Sequence, residues 1–355
     1  MTLDVFLHPG ARAWTGPELT GDPRDFHASL PGYAPTPLRE FPSAAAELDL
    51  GRVFVKDESS RLGLPAFKIL GASWAVHRAT EDHRPSALVT ATDGNHGRAL
   101  ARTGRLLGIP VRIHTPVGVH PAAIAAIRAE GADVTERAAN YDQAVCRAAD
   151  VAQTTGALLV QDMAWSGYEQ IPAWIVEGYT TMAAEIDEAL ATHGFAPDLI
   201  VVPVGVGSLA QAILQHYRAP SAAHRPAVLA VEPTAAACVL ASLHAGALTS
   251  VATGETIMAG LNCGTPTSSA WPVLAHGLDG AVAVTDVEAA AAAHDLRGAG
   301  IDSGPCGAAT LAGLRRLLST NVAREALGLS TDAIVVLLST EGSAANPALP
   351  QGDPA

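Results

Sequence analysis

Cysteine is scarce in this 355-residue chain: Cys146, Cys238, Cys263 and Cys306 lie far apart, with no CxxC pair. That spacing excludes a disulfide framework or a zinc ribbon and leaves reduced core or site-lining thiols. None of the 13 histidines falls in an HExxH pattern, so a protein-held metal is not expected. Lysine is scarce too, and no basic cluster relieves the net charge of -13, which argues against a nucleic-acid binder. No apolar run approaches the length of a bilayer span. Residues 1–14 lack the basic-then-apolar order of a signal peptide, so the expectation is a soluble cytoplasmic protein. There is no internal repeat.

What is present is a chain that is 48% apolar and long enough for a large core in two domains or lobes. Strand-like runs at 52–55, 88–92, 111–114, 132–135, 157–160, 198–203, 227–231, 282–284 and 333–338 alternate with helical segments. The helical segments fall at 98–108, 121–130, 141–155, 172–191, 208–217, 287–299 and 306–319. Such alternation with short connections predicts parallel strands and an α/β sheet. Residues 1–50, rich in Pro and Gly, are expected to wrap the surface of the main body, and the tail beyond Gly342 to fray.

Four stretches carry chemistry. Residues 56–72 leave a strand, cross a polar turn and enter a helix near Pro65 or Ala66, with Lys68 in its first turn between Phe67 and Ile69. Apolar neighbours and the positive helix end both lower a lysine's pKa, and Schiff-base chemistry requires a neutral amine. Alone, the pattern is weak, since a lysine flanked by apolar residues is usually an exposed one on an amphipathic helix. Gly205-Val206-Gly207-Ser208 follows a buried strand and opens a helix, where backbone N–H groups and the helix dipole face an anion. Ser208 adds a hydroxyl. The same stretch fits a dinucleotide fingerprint, G-x-G-x-x-A through Gly205, Gly207 and Ala210 with Glu232 ending the next strand, or a turn without a ligand.

The loop Asp93-Gly94-Asn95-His96-Gly97 joins a strand to a helix N-terminus. Its donors suit a substrate carboxylate and Asn95 a ring hydroxyl, while the loop in isolation reads more readily as structural. Ser339-Thr340-Glu341-Gly342 closes the last strong strand, where a buried hydroxyl can bond a ring nitrogen. Jointly, an amine, a phosphate cradle, a polar loop and a hydroxyl at strand–helix junctions are the contacts that pyridoxal phosphate (PLP) needs.

With these stretches in hand, the chain resembles the fold-type II PLP enzymes and, within them, the diaminopropionate ammonia-lyase family. The matching segments are 56–59 with 66–68, 91–98, 162–169, 171–175, 177–182, 204–208, 256–261 and 339–342, in order over residues 50–342. The resemblance implies an α/β fold of two lobes, each a largely parallel sheet flanked by helices. Residues 1–83 and 161–355 would form the large PLP-binding domain and 84–160 the small one. It implies α,β-elimination of ammonia from 2,3-diaminopropionate, giving pyruvate by way of aminoacrylate. Lys68 would carry the cofactor and act as base at the substrate Cα, and Asp93 would be a second acid/base. Phe67, Asn95, Gly205, Val206, Gly207, Ser208, Ser339 and Thr340 would hold the cofactor with Lys68. Thr92, Asp93, Gly94, His96, Asp162 and Tyr168 would hold the substrate, Asp162 facing a distal ammonium. A small-molecule amino-acid substrate and a cytoplasmic homodimer are implied, without metal, nucleic acid or membrane.

A neutral hydroxyl at the ring nitrogen favours elimination over transamination. The alternatives are elimination or replacement on another β-substituted amino acid of the serine/threonine type, and a nicotinamide-dependent oxidoreductase using Gly205, Gly207 and Glu232. The chain departs from the family pattern at Leu62, Pro65, Trp74, Ser166 and over residues 302–307. The changes at 166 and 302–307 bear on the charge around the substrate's distal group.

Overall fold

The computed structural model describes residues 5–92 and 94–345. Asp93 and the tail from residue 346 lie outside the described residues; of the segment beyond Gly342, residues Ser343–Ala345 form a 3-10 turn.

Eleven strands are described: β1 (Val5–Leu7), β2 (Leu38–Glu40), β3 (Arg52–Asp57), β4 (Leu88–Ala91), β5 (Val111–Pro116), β6 (Asp133–Ala138), β7 (Leu158–Leu159), β8 (Leu199–Pro203), β9 (Ala227–Pro233), β10 (Gly280–Val284) and β11 (Ile334–Ser339). They build two sheets, a seven-stranded one ordered β1-β10-β9-β8-β11-β3-β2 and a four-stranded one ordered β6-β5-β4-β7. The small sheet is parallel throughout. In the large sheet β10, β9, β8, β11 and β3 run parallel, and β1 and β2 close its edges antiparallel.

Continuous apolar runs make the central strands because both faces of the large sheet are covered. Ile200 and Val202 of β8 join the core beneath the helices Ile69–Ala79, Gln170–Ala191 and Ser208–Arg218. Leu199 and Val201, pointing the other way, join a second core under the helices Asp286–Gly298 and Pro305–Leu318. The first 50 residues do more than wrap the body. They supply both antiparallel edges, short strands with half-exposed burial patterns that carry too little alternation to stand out in sequence.

Lys68 is not within the first helical turn as expected. It is the N-cap of the helix Ile69–Ala79, because residues 61–67 are held in turns and by the Ala66 bridge to Glu341. That helix crosses Gln170–Ala191 at two glycines: a Cβ on Gly71 would lie 2.6 Å from Tyr179 Cε1, and one on Gly178 2.5 Å from the Leu70 carbonyl oxygen. This close approach sets Tyr179 beneath Phe67, ring centroids 4.7 Å apart.

Candidate active site

The chain has two lysines, Lys56 and Lys68. Lys56, at the end of β3, is buried and donates to the Thr36 carbonyl at 2.7 Å and to Glu185 Oε2 at 2.5 Å. Arg61 completes this buried cluster, binding Glu185 Oε1 and Glu58 Oε1 at 2.6 Å each. The cluster ties the loop leaving β3 to the helix Gln170–Ala191. It leaves Lys68 as the one lysine with a reactive outlook.

Lys68 Nζ donates to Asp162 Oδ2 at 2.8 Å and lies 5.5 Å from the Phe67 ring centroid and 6.0 Å from that of Tyr179. Burial pulls the lysine's pKa down, but the Asp162 carboxylate outweighs burial and the net shift is upward. The lowered pKa expected from apolar neighbours and a helix end is therefore overturned. Those neighbours act on Lys68, but a contacting carboxylate acts more strongly. Asp162 is in turn held well below the usual carboxylate range: burial opposes this, and Lys68 and His96 prevail.

The position of Asp162 comes from its neighbour. Gln161 is buried and accepts from the Ala91 N–H at 3.0 Å and from Thr90 Oγ1 at 2.9 Å, so the chain after β7 is pinned to the end of β4. His96 Nε2 donates to the Val160 carbonyl at 2.8 Å, which turns Nδ1 toward Asp162 Oδ2, 3.9 Å away. Thr92 Oγ1 accepts from the N–H groups of Gly94 (3.1 Å) and Gly97 (3.2 Å) and shapes the loop between them. The Tyr168 hydroxyl donates to the Leu159 carbonyl at 2.9 Å and accepts from the Gln161 N–H at 2.8 Å, with its ring stacked on Trp165. That hydroxyl thus ties residues 159 and 161, which lead into Asp162, to the turn of Trp165 and Tyr168.

Gly205 to Ser208 lie between β8 and the helix Ser208–Arg218, with Gly207 as the N-cap at φ 101°. A Cβ on Gly205 would sit 3.1 Å from Cys263 Sγ and 3.1 Å from the Gly260 carbonyl oxygen. The N–H groups of Gly205, Val206 and Gly207 donate to no backbone carbonyl among the described residues. Ser208 Oγ donates to the Asp162 carbonyl at 3.2 Å, which joins this loop to the Lys68 pair. At the end of β11, Ser339 Oγ donates to Ser303 Oγ at 2.8 Å, and the Phe67 N–H donates to the Thr340 carbonyl at 3.2 Å. Asn95 Nδ2 donates to Glu341 Oε2 at 3.0 Å.

These contacts pass the test for PLP. Free amides and a hydroxyl at a helix N-terminus suit a phosphate. The amine and the Asn95 amide come from chain that follows parallel strands, and the Ser339 hydroxyl from the last residue of one. The buried Tyr179 hydroxyl, on the ring that faces the amine, and His96 Nδ1, 3.9 Å from Asp162 Oδ2, have no hydrogen-bond partner among the described residues, as in a site that expects a polar ligand. The dinucleotide reading fails on Glu232. Its carboxyl is fully buried and accepts from the Val239 and Leu240 N–H groups at 2.8 and 2.7 Å, out of reach of a ribose. Burial raises its pKa to about 7 despite those donors.

The pyridoxal-phosphate dependent enzyme family matches residues 29–340. The chain belongs to this family. It is 35% identical to the diaminopropionate ammonia-lyase of Salmonella typhimurium, over 89% of this chain and 87% of that protein. The Escherichia coli enzyme of the same name is 34% identical over 90% and 87%. The solved structure of E. coli diaminopropionate ammonia lyase with an aminoacrylate–PLP azomethine reaction intermediate superimposes with a TM-score of 0.87 at 32% identity, covering 96% of this chain and 94% of that one. Maize serine racemase, at 24% identity and a TM-score of 0.78, shares the fold. The chain is thus a fold-type II PLP enzyme. Sequence reasoning assigned no role to Tyr179, Ser303 or Glu341. Glu341, an acid directly after a buried strand, carried the one signal that a sequence could offer.

Proposed function

We infer that this chain is a PLP-dependent ammonia-lyase that takes 2,3-diaminopropionate to pyruvate and ammonia by α,β-elimination. The observation that carries the substrate is the contact of Lys68 Nζ with Asp162 Oδ2. Asp162 presents an anion at the reacting end of the pocket, where a distal ammonium is complemented and a neutral hydroxyl is not. Bound here, PLP supplies the electron sink that acidifies an amino acid's Cα–H. Lys68 is the amine that carries the cofactor and then accepts a proton at Nζ, with Phe67 and Tyr179 beside it. The Gly205–Ser208 loop would hold the phosphate, Asn95 the ring oxygen, and Ser339, its O–H turned from Ser303, or Thr340 the ring nitrogen. His96, Thr92 and Gly94 shape the carboxylate side of the substrate, and Asp93 is the second acid/base.

The division into a large domain (1–83 with 161–355) and a small one (84–160) belongs to this reading, supported by two sheets that share no strand. The family resemblance supports a cytoplasmic homodimer.

Pyruvate and ammonia release from 2,3-diaminopropionate, serine and threonine tests the substrate. Turnover of serine with none of the diamino acid would end the assignment and leave the cofactor in place. Borohydride reduction followed by peptide mass measurement should place the cofactor on Lys68 alone, and Lys68→Ala should lose both colour and turnover. Asp93→Asn should keep the colour and lose turnover of the D-isomer.

A further inference from the structure

Glu341 is almost fully buried at the exit of β11. Its backbone is locked: the Gly304 N–H donates to its carbonyl at 2.8 Å, and it bridges Ala66, two residues before Lys68. Its carboxyl has two distinct contacts. Oε1 accepts from the Cys306 N–H at 3.4 Å, at the start of the helix Pro305–Leu318, and a Cβ on Gly304 would lie 2.9 Å from the same oxygen. Oε2 reaches the other way and accepts from Asn95 Nδ2 at 3.0 Å. A helix cap requires only the first contact.

A carboxylate has only acceptors, so it selects the NH₂ of a facing amide and excludes the amide oxygen. With one Nδ2–H held by Glu341, the second points away from it in the amide plane. We propose that Glu341 is a further positioning residue, which fixes the Asn95 amide so that this second N–H is presented to the cofactor's ring oxygen. The proposal rests on the reading above that Asn95 faces that oxygen. The charged and titratable groups around the Glu341 carboxyl are Lys68, whose charge acts on it, the buried Cys306 thiol, and Asp302 beside Gly342. Burial raises the carboxyl's pKa, so the contact is worth most where the surroundings keep it an acceptor.

The test uses the holoenzyme and four variants: Asn95→Ala, Glu341→Ala, Glu341→Gln and the double alanine variant. Three quantities are read: the visible absorption band of the bound cofactor, its dissociation constant and the melting temperature. Asn95→Ala and Glu341→Ala should each weaken cofactor binding by about tenfold, the scale of one charge-assisted hydrogen bond, and shift the band in the same direction. The double variant should be no worse than either single one, because the two residues act as a unit. Glu341→Gln keeps one oxygen for two donors, the Asn95 and Cys306 N–H groups, so its cofactor binding should fall between wild type and Glu341→Ala. If Glu341→Ala melts lower with band and binding unchanged while Asn95→Ala shifts both, Glu341 is only a cap and the proposal fails. Additive losses in the double variant would overturn it as well. If Asn95→Ala changes neither band nor binding, the placement of Asn95 falls, and this proposal with it.

Discussion

Lys56 and Lys68 stand twelve residues apart in sequence and have opposite fates. Lys56 is buried and held by Glu185 and the Thr36 carbonyl, whereas Lys68 has one carboxylate partner and two aromatic faces. That partner is the residue on which specificity turns. Asp162→Asn keeps shape and hydrogen bonding but removes the anion, so a substrate ammonium loses its counter-charge. KM for 2,3-diaminopropionate should rise at least about tenfold while that for serine changes little, since a charge-assisted contact is worth about 1.5–3 kcal/mol. Initial rates on the two substrates check this, and an unchanged ratio would remove Asp162 from discrimination. Lys68 was legible from its own neighbours in the chain. Its charge state was not, because Asp162 lies 94 positions away and no local pattern announces the contact.

At the level of elements, the Gly205–Ser208 loop was legible as an anion site because its signal is local: a buried strand, small residues and a helix start. What it holds was decided elsewhere, by the burial of Glu232. Gly207 has a φ of 101°, and a Cβ there would lie 2.7 Å from Leu274 Cδ1. Gly207→Ala should therefore weaken cofactor binding by about tenfold or more, strain of order 1–3 kcal/mol being focused on the phosphate cradle. Cofactor titration of the apoprotein checks it.

The short helix Arg24–Ser29 offers a second case. His27 is buried; Nε2 donates to the Leu70 carbonyl at 2.9 Å, so Nδ1 accepts from Thr181 Oγ1 at 2.7 Å. This is the neutral ring, and burial lowers its pKa from 6.5 to about 4. The folded pKa is depressed, so the unfolded chain binds the extra proton between those values. The contribution of His27 is full above pH 6.5 and is lost as pH falls toward 4, by about 3 kcal/mol. Urea unfolding across that range should show the decline, and His27→Gln should flatten it. An equal slope in both proteins would refute the assignment.

At the scale of the whole molecule, the cluster of Lys56, Glu58, Arg61 and Glu185 joins β3, the loop before Lys68 and the helix Gln170–Ala191. The Lys56 and Arg61 cations hold Glu185 at a pKa of about 2 against the pull of burial. Glu185→Ala leaves a buried excess of positive charge and should cost about 3–5 kcal/mol of unfolding free energy, with Glu185→Gln milder. Equilibrium unfolding measures both, and a loss below about 1 kcal/mol would mean that water relieves the cluster.

The sequence by itself determined the strand–helix alternation, the parallel core strands and the kind of cofactor, since each depends on residues close along the chain. Only the tertiary structure decided that the first 50 residues edge the large sheet, that Lys68 pairs with Asp162, that Glu232 is walled in and that Asn95 meets Glu341. Each of those outcomes joins segments far apart in sequence. Burial and Coulomb attraction act through space, and they take effect only once the chain has closed.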